Sequence, residues 1–323
     1  MTPGQMRERG VSNGAHAHGL LQAQCQRLVE LHAPVLRDQD PEPLHQMRVS
    51  LRRLSTTLVQ FAPCLVLPKG LSEKQLAKTV RQLGMARDLD VLQERLDDML
   101  LPQLPEQERQ RLKPARRQLA RERRAAHGQL CDVLQSGRHL KWIAAIQAWL
   151  KQPAYTALGE QPLLVWLPEW AVADSLSLLL HPGWWLETAA QNPDSLHDLR
   201  KQLKWVRYRL ENIEGFAGSG VQLWISQLKR GQGLLGELND LCVLEEAIND
   251  QCHDSLETTA PQFVWLLEQH RLHCWRRWRQ LCEDLMDSKS RRLRLAALAR
   301  LGEDASIGKR WARALIDFPS RLR

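Results

Sequence analysis

The stretch LHQMRVSLR at residues 44–52 decides the fold, because it recurs as LHDLRKQLK at residues 196–204. A second stretch, LGMARDLDVL at residues 83–92, recurs as LGELNDLCVL at residues 235–244. The two members of each pair are separated by the same 152 residues. Two matches at one offset indicate an internal duplication, and we predict two related halves in tandem.

The composition around these stretches favours helices. Among 323 residues there are 58 Leu but only 22 Ile plus Val, with 2 Tyr and 4 Phe. Leu, Gln, Arg and Ala favour helices, whereas the β-branched and aromatic residues that favour strands are scarce apart from Trp. The sequence therefore predicts an all-α fold. Neither of the glycine-rich signatures of nucleotide-binding α/β folds occurs, which argues against that class.

Proline positions and apolar periodicity divide each half into four predicted helices. The resulting fold is a tandem repeat of two four-helix bundles, joined through residues 152–168. We expect residues 1–19 to be a flexible segment, residues 20–287 to form the folded domain, and residues 288–323 to form a basic helix and tail. The predicted helices of the first half, which spans residues 20–150, are 20–37, 43–61, 72–101 and 106–134. Those of the second half, which spans residues 170–287, are 170–190, 194–213, 221–250 and 260–287.

The repeated His/Arg stretch predicts an amphipathic helix with a cationic face. At 100° per residue, His45, Arg48 and Arg52 share an arc of about 60°, apart from an apolar stripe that includes Met47 and Leu51. A solvated charged face usually contains acidic residues at helical spacing, and this arc contains none. We therefore favour an anion site over a merely solvated face. The corresponding residues of the second half are His197, Arg200, Lys201, Lys204 and Arg207.

Further basic residues extend the positive charge over the other predicted helices. Lys74, Lys78 and Arg81 lie on one face of the third helix, and Lys229 and Arg230 occupy the corresponding region of the second half. We include these five residues in the candidate anion site.

The fourth helix of each half adds a weaker basic stripe. Arg117, Arg121 and Arg124 recur at helical spacing, and their counterpart region contains His273 and Arg276. For these residues an ordinary solvated surface is an equally good interpretation.

The overall charge and the apolar pattern limit the class of partner. The formal net charge is +8, which indicates a polyanionic partner. No apolar run approaches about 18 residues, so we expect no contact with membranes. Seven cysteines without a CxxC pair are typical of reduced thiols, and we expect a cytoplasmic protein.

The two pairs of repeated motifs, taken together, resemble the CHAD domain, the conserved histidine α-helical domain. The resemblance covers residues 20–287 and implies two pseudo-symmetric four-helix bundles with a basic channel between them. It also implies binding of inorganic polyphosphate and localisation to polyphosphate granules. The residues that match the family's basic motif positions are His45, Arg48, Arg52, Arg53, His197, Arg200, Lys204 and Arg207.

The second motif matches less evenly. Arg87 stands at a basic position of that motif, but the second half has Asn239 there, which makes a symmetric role doubtful. Asp88 and Asp240 are interpreted as helix-packing or capping residues.

Three alternatives compete with polyphosphate binding. The His197-Asp198 and His253-Asp254 pairs are typical of some metal-dependent hydrolases, and His270, His273 and Cys274 share helical spacing. Neither pattern supplies a full ligand set, so we expect no metal, no cofactor and no enzymatic activity. Nonspecific, weaker binding of RNA or DNA by the same basic surface, with Trp275 and Trp278 stacking on bases, is the main alternative.

Overall fold

The structure is a computed structural model that describes residues 10–71, 73–252 and 254–301. Within these ranges the regular elements are helices, and the only pairings between extended segments are two isolated bridges. The twelve α-helices of the described residues are α1 (Asn13–Arg37), α2 (Pro41–Gln60), α3 (Glu73–Glu94), α4 (Glu106–Arg111), α5 (Lys113–Gln135), α6 (Gly137–Lys151), α7 (Leu163–Leu179), α8 (Pro193–Glu211), α9 (Ser219–Asn249), α10 (Leu256–Thr259), α11 (Pro261–Met286) and α12 (Ser288–Ala299).

The helices that carry the His/Arg motif begin alike. Asp40 caps α2 by accepting a hydrogen bond from the backbone of Glu42 at 2.8 Å, and Pro41 occupies the first turn. Asn192 caps α8 by accepting from the backbone of Ser195 at 2.9 Å, with Pro193 in the first turn. A proline in the first turn of a helix is tolerated, because the backbone N–H that it lacks would have no intrahelical partner there. Pro41 and Pro193 are 152 residues apart, so the two helices begin at equivalent positions of the repeat.

The helices of the two halves pack in the same order. Helix α2 packs between α1 and α3, and α3 packs on α5; likewise α8 packs between α7 and α9, and α9 packs on α11. Each set includes a fifth helix, because α6 contacts α1 and α5, and α12 contacts α7 and α11. The first half therefore contains a helix, α6, that was not predicted. Helix α12 is the basic helix that was expected after residue 287, and residues 302–323 lie outside the described part.

The two halves share one continuous hydrophobic core. Its fully buried members include Leu21 and Leu54 from the first half and Leu203 and Trp224 from the second. A smaller core lies where the C-terminal ends of α3 and α9 meet α4, α5, α10 and α11. Amphipathic helices bury their apolar faces mainly against helices of their own half, and contacts between α1 and α7, between α2 and α8, and of α9 with α3 and α5 join the two halves.

Polar groups also cross between the halves. The side-chain amide of Asn212 donates to Gln60 Oε1 at 2.8 Å and to Thr57 Oγ1 at 3.2 Å. Nε2 of His16 lies 2.6 Å from the Asn212 carbonyl, and its ring lies edge-on to Phe61. These contacts hold α2 beside α8, and these two helices carry the two copies of the His/Arg motif.

The N-terminal boundary of the fold lies earlier than predicted. Helix α1 begins at Asn13 rather than near residue 20, so residues 13–19 are not a flexible segment. Asn13 is fully buried, and its side-chain amide donates to the Leu158 carbonyl at 3.0 Å. The polar side chains that resembled a flexible leader instead make tertiary hydrogen bonds. Helix α7 likewise begins at Leu163 and contains Pro168, so the connection between the halves is shorter than predicted.

A buried carboxylate caps α11 and gives a test of the smaller core. Glu108 accepts hydrogen bonds from the backbones of Gln262 and Phe263, both at 3.0 Å. Glu108→Ala leaves these donors without their charged partner, so we expect the free energy of unfolding to fall by about 2 kcal/mol. Urea denaturation of the full chain measures this loss, and the exposed Glu106→Ala is the control. A loss of equal size in both variants would contradict the capping role.

Candidate anion-binding site

The candidate site lies along the packed pair α2 and α8, which brings the two copies of the His/Arg motif together. Met47 and Leu51 of α2, and Leu199 and Leu203 of α8, are buried in the core. The basic residues lie on the face of each helix that is next to its buried apolar face, so the two cationic faces border the core. The two faces meet along the seam between the halves.

Four half-buried cations converge at this seam, and we call them the central cation cluster: Arg48 and Arg52 of α2, and Arg200 and Lys204 of α8. Burial, followed by the charges of Arg52, Arg200 and Arg48, lowers the pKa of Lys204 to about 7. Burial, followed by the charges of Arg48 and Arg200, lowers the pKa of Arg52 to about 10. Like charges held together and partly removed from water disfavour one another's protonated forms.

The central cation cluster has few acidic partners. Arg48 Nη2 lies 3.3 Å from Asp88 Oδ1, and that carboxylate is 68% exposed. Within the described part of the chain, Arg52, Arg200 and Lys204 have no carboxylate within 4.0 Å. Nε of Arg48 is also buried without a hydrogen-bond partner there. The cluster therefore carries excess positive charge and unused donors.

The two motif histidines flank this cluster. Nδ1 of His45 is buried without a partner among the described residues, and burial followed by the charge of Arg87 lowers the pKa of this histidine. His197 is exposed, and partial burial of its ring with the charges of Lys201 and Arg200 lowers its pKa. Both imidazoles are therefore largely neutral at pH 7, where they can serve as hydrogen-bond donors.

Helices α3 and α9 form the walls of the site. Arg200 lies close to Gly236 of α9, where an added Cβ would be 3.6 Å from its Nε. Asp88 and Asp240 lie in the middle of their helices, so the expectation that they act as caps was wrong. Arg95, in the π-helical turn that extends α3, reaches across to Asp240 at 3.5 Å.

Three of the predicted site residues are paired with carboxylates of the protein itself. Arg53 pairs with Glu211 at 3.0 Å, and Arg207 pairs with the same carboxylate at 2.5 Å. Arg207 is 8% exposed and also donates to Gln232 at 3.0 Å. Arg87 lies within 4.0 Å of two carboxylates of its own helix. Because their charges are already paired with carboxylates, these three residues attract an anion less strongly than the sequence predicted.

The remaining predicted residues are exposed and lie outside the central cation cluster. None of them forms an ion pair within 4.0 Å with any described residue. Those on α3, α8 and α9, the helices that build the cluster, are Lys74, Lys78, Arg81, Lys201, Lys229 and Arg230. Those on the outer helices α5 and α11 are Arg117, Arg121, Arg124, His273 and Arg276.

The structure also shows the surroundings of the residues that suggested metal binding, hydrolysis or nucleic-acid binding. Asp198 accepts from His181 Nε2 at 3.1 Å, and His253 lies outside the described residues. In the part of the chain that is described, no three His, Cys, Asp or Glu side chains are placed to share a metal ion. Trp278 is buried and stacked on Trp184, which removes it as a platform for bases. No helix among the described residues has the length and apolarity that crossing a bilayer requires.

Comparisons with known proteins agree with this architecture. The family model described as CHAD domain matches residues 19–249. The structure is similar to the crystal structure of the CHAD domain from the plant Ricinus communis, with a TM-score of 0.60, 23% identity, and coverage of 91% of this chain and 92% of that one. It is also similar to PptA from Streptomyces chartreusis, with a TM-score of 0.62, 18% identity, and coverage of 84% and 99%. No match is found among curated proteins.

Proposed function

The chain belongs to the CHAD-domain family, and we propose that it binds inorganic polyphosphate, without catalysis, at the central cation cluster. The observation that carries the proposal is the convergence of Arg48, Arg52, Arg200 and Lys204 with one exposed carboxylate among them. Holding these charges together costs free energy in the unliganded protein, and a bound polyanion offsets that cost.

The chemistry of the cluster suits a chain of phosphates. Arginine donates two parallel hydrogen bonds to phosphate oxygens, and lysine adds a point charge. Arg52 and Lys204 are recessed beside the core, where a bare phosphate chain reaches more easily than a nucleic acid with its sugars and bases. Burial of Trp278 also removes one of the two tryptophans on which bases could stack. These features favour polyphosphate over RNA or DNA.

A long ligand extends beyond four cations. We propose that it runs in a basic channel between the two halves and continues over the exposed cations of α3 and α9. Lys74 and Arg81 lie on the face of α3 that carries Asp88, and Lys229 lies on the face of α9 that carries Gly236. In this arrangement the two motif copies hold adjacent stretches of a single chain, and the protein coats polyphosphate granules as a binding protein.

Salt dependence tests the electrostatic basis of the proposal. Because each phosphate contact releases condensed counterions, four contacts predict that affinity falls about 100-fold between 50 and 200 mM salt. Titration of the full chain with long-chain polyphosphate at several salt concentrations measures the slope. An affinity that does not change with salt would contradict the mechanism.

Competition with RNA separates the two polyanions. In the same titration, RNA at equal phosphate concentration is expected to displace little of the bound polyphosphate. Complete displacement would instead support a nonspecific nucleic-acid-binding protein.

A further inference from the structure

The cationic face of α8 ends on an acidic residue. At helical spacing this face carries, in chain order, Arg200, Lys204, Arg207 and Glu211. The carboxylate of Glu211 therefore lies in line with the cations of the seam. The equivalent residue of α2, 152 positions earlier, is the apolar Val59, so this carboxylate is a feature of the second half alone.

Glu211 bridges two arginines, one from each half. Its Oε1 accepts a hydrogen bond from Nη1 of Arg207 at 2.5 Å, and its Oε2 accepts one from Nη2 of Arg53 at 3.0 Å. Guanidinium groups bind carboxylate oxygens and phosphate oxygens through the same donors. The carboxylate of Glu211 thus occupies a position between two guanidinium groups that would also suit a phosphate.

The two ion pairs of Glu211 differ in how firmly they are held. Arg207 is buried, its Nε donates to Gln232 Oε1 at 3.0 Å, and its guanidinium lies 4.2 Å from the centroid of the Tyr208 ring. The side chain of Arg53 is 42% exposed, and its Nε has no hydrogen-bond partner among the described residues. An arginine that is this exposed exchanges one anion for another with little loss of free energy. Arg53 is therefore the exchangeable partner of Glu211, and Arg207 is the fixed one.

The exchangeable pair lies beside the central cation cluster. Arg53 directly follows Arg52 in α2, and Glu211 lies two helical turns beyond Lys204 in α8. A polyphosphate chain held by the cluster brings its next phosphates to this end of the seam. Because those phosphates are tethered, their effective concentration near Arg53 is of millimolar order, which lets them compete with a carboxylate of the protein.

We propose that Glu211 is an internal competitor of polyphosphate: it holds Arg53 in the free protein and releases Arg53 to a phosphate when the chain binds. Glu211 keeps its contact with Arg207 in both states. Arg53 is paired with an anion before and after the exchange, so neither state contains an unpaired charge at this position. The inference rests on the proposed function and adds to it a carboxylate that limits affinity at the same site.

Glu211→Asp tests the exchange without a change in net charge. The shorter side chain draws the carboxylate toward Arg207 on its own helix and away from Arg53. In calorimetric titration of the full chain, we expect long-chain polyphosphate to bind about threefold more tightly to this variant. Unchanged or weaker binding would contradict the competition.

Glu211→Gln removes the competing charge as well. We expect affinity to rise about tenfold, because Arg53 is then free to make a charged hydrogen bond to phosphate. The slope of log affinity against log salt should steepen by about 0.7, the value for one added phosphate contact on a single-stranded polyanion. Glu214→Gln is the matched control, because that carboxylate is exposed three residues further along the chain. It should change affinity less than about twofold, since a distant exposed charge is screened. Equal gains in the two glutamine variants would reduce the effect to net charge and overturn the proposal.

Arg53→Gln shows whether Glu211 acts through Arg53. In this background Glu211→Gln should lose most of its effect, because the partner that it releases is missing. A tenfold gain that survives Arg53→Gln would overturn the proposal. Arg53→Gln alone should weaken binding about threefold, and this result does not require any Glu211 variant to fold. Unchanged affinity in Arg53→Gln would show that polyphosphate does not take this arginine, which also overturns the proposal.

These outcomes are distinct from failure of the proposed function. A wild-type chain that does not bind polyphosphate at all overturns the proposed function, and the role of Glu211 with it. A wild-type chain that binds polyphosphate with the expected salt dependence, with Glu211 variants that bind equally well, overturns the role of Glu211 alone.

Discussion

Replacing Arg52 and Lys204 together by glutamine is expected to weaken long-chain polyphosphate binding by about 100-fold. Each charged hydrogen bond to phosphate contributes about 1.5–3 kcal/mol, so two of them account for a loss of this size. Glutamine keeps most of the side-chain length and hydrogen-bonding capacity but removes the charge. Calorimetric titration at constant ionic strength measures the loss.

The matched control removes the same charge from the outer surface. Arg117→Gln with Arg121→Gln changes the net charge by the same amount on α5, where both residues are exposed. We expect this control to change affinity only a few-fold, because screened, distant charges contribute little. Similar losses in the two double variants would show that net charge alone determines binding.

The stability of the same variants provides an independent measurement. Lys204 and Arg52 are held near other cations in the folded chain but are solvated when it unfolds. Their replacement by glutamine should therefore raise the unfolding temperature while it weakens binding. A residue retained only for packing would show a loss of stability instead, so the two readouts together distinguish a binding role from a structural one.

Local sequence signals predicted the parts of the fold that depend on local chemistry. Caps and prolines at Asp40-Pro41 and Asn192-Pro193 place the starts of α2 and α8 within two residues of the prediction. The arcs of Arg48 and Arg52 were also predicted correctly as a charged face beside buried Met47, because helical periodicity determines which residues share a face.

Contacts distant in the sequence could not be predicted in this way. Arg53 and Glu211 pair across 158 residues, and a guanidinium nitrogen of Arg95 lies 3.7 Å from a carboxylate oxygen of Glu237 in the other half. Periodicity says which face of a helix is buried, but not which helix covers it. Helix α6 was not predicted, although Ser136 caps it, whereas the basic helix expected after residue 287 is α12.

We expect Lys204, rather than the two motif histidines, to set the pH dependence of polyphosphate binding. Burial and neighbouring cations lower the pKa of both His45 and His197, so their protonation affects binding only at more acidic pH. Lys204 faces Arg48 and Arg52 from α2, Arg200 from its own helix, and Asp88 from α3, and its pKa is lowered to about 7. It therefore loses its charge in the free protein as the pH rises above neutral.

Polyphosphate affinity should consequently fall by up to about tenfold per pH unit between pH 7 and 9. The ammonium form binds the anion, so the bound state has the higher pKa and binding takes up a proton in this range. Lys204→Arg keeps its charge throughout, because Arg52 retains a pKa of about 10 in the same surroundings. We expect this variant to match the wild type at pH 6.5 and to bind more tightly at pH 9. Parallel pH profiles for the two proteins would assign the titration to another group and remove Lys204 from the site.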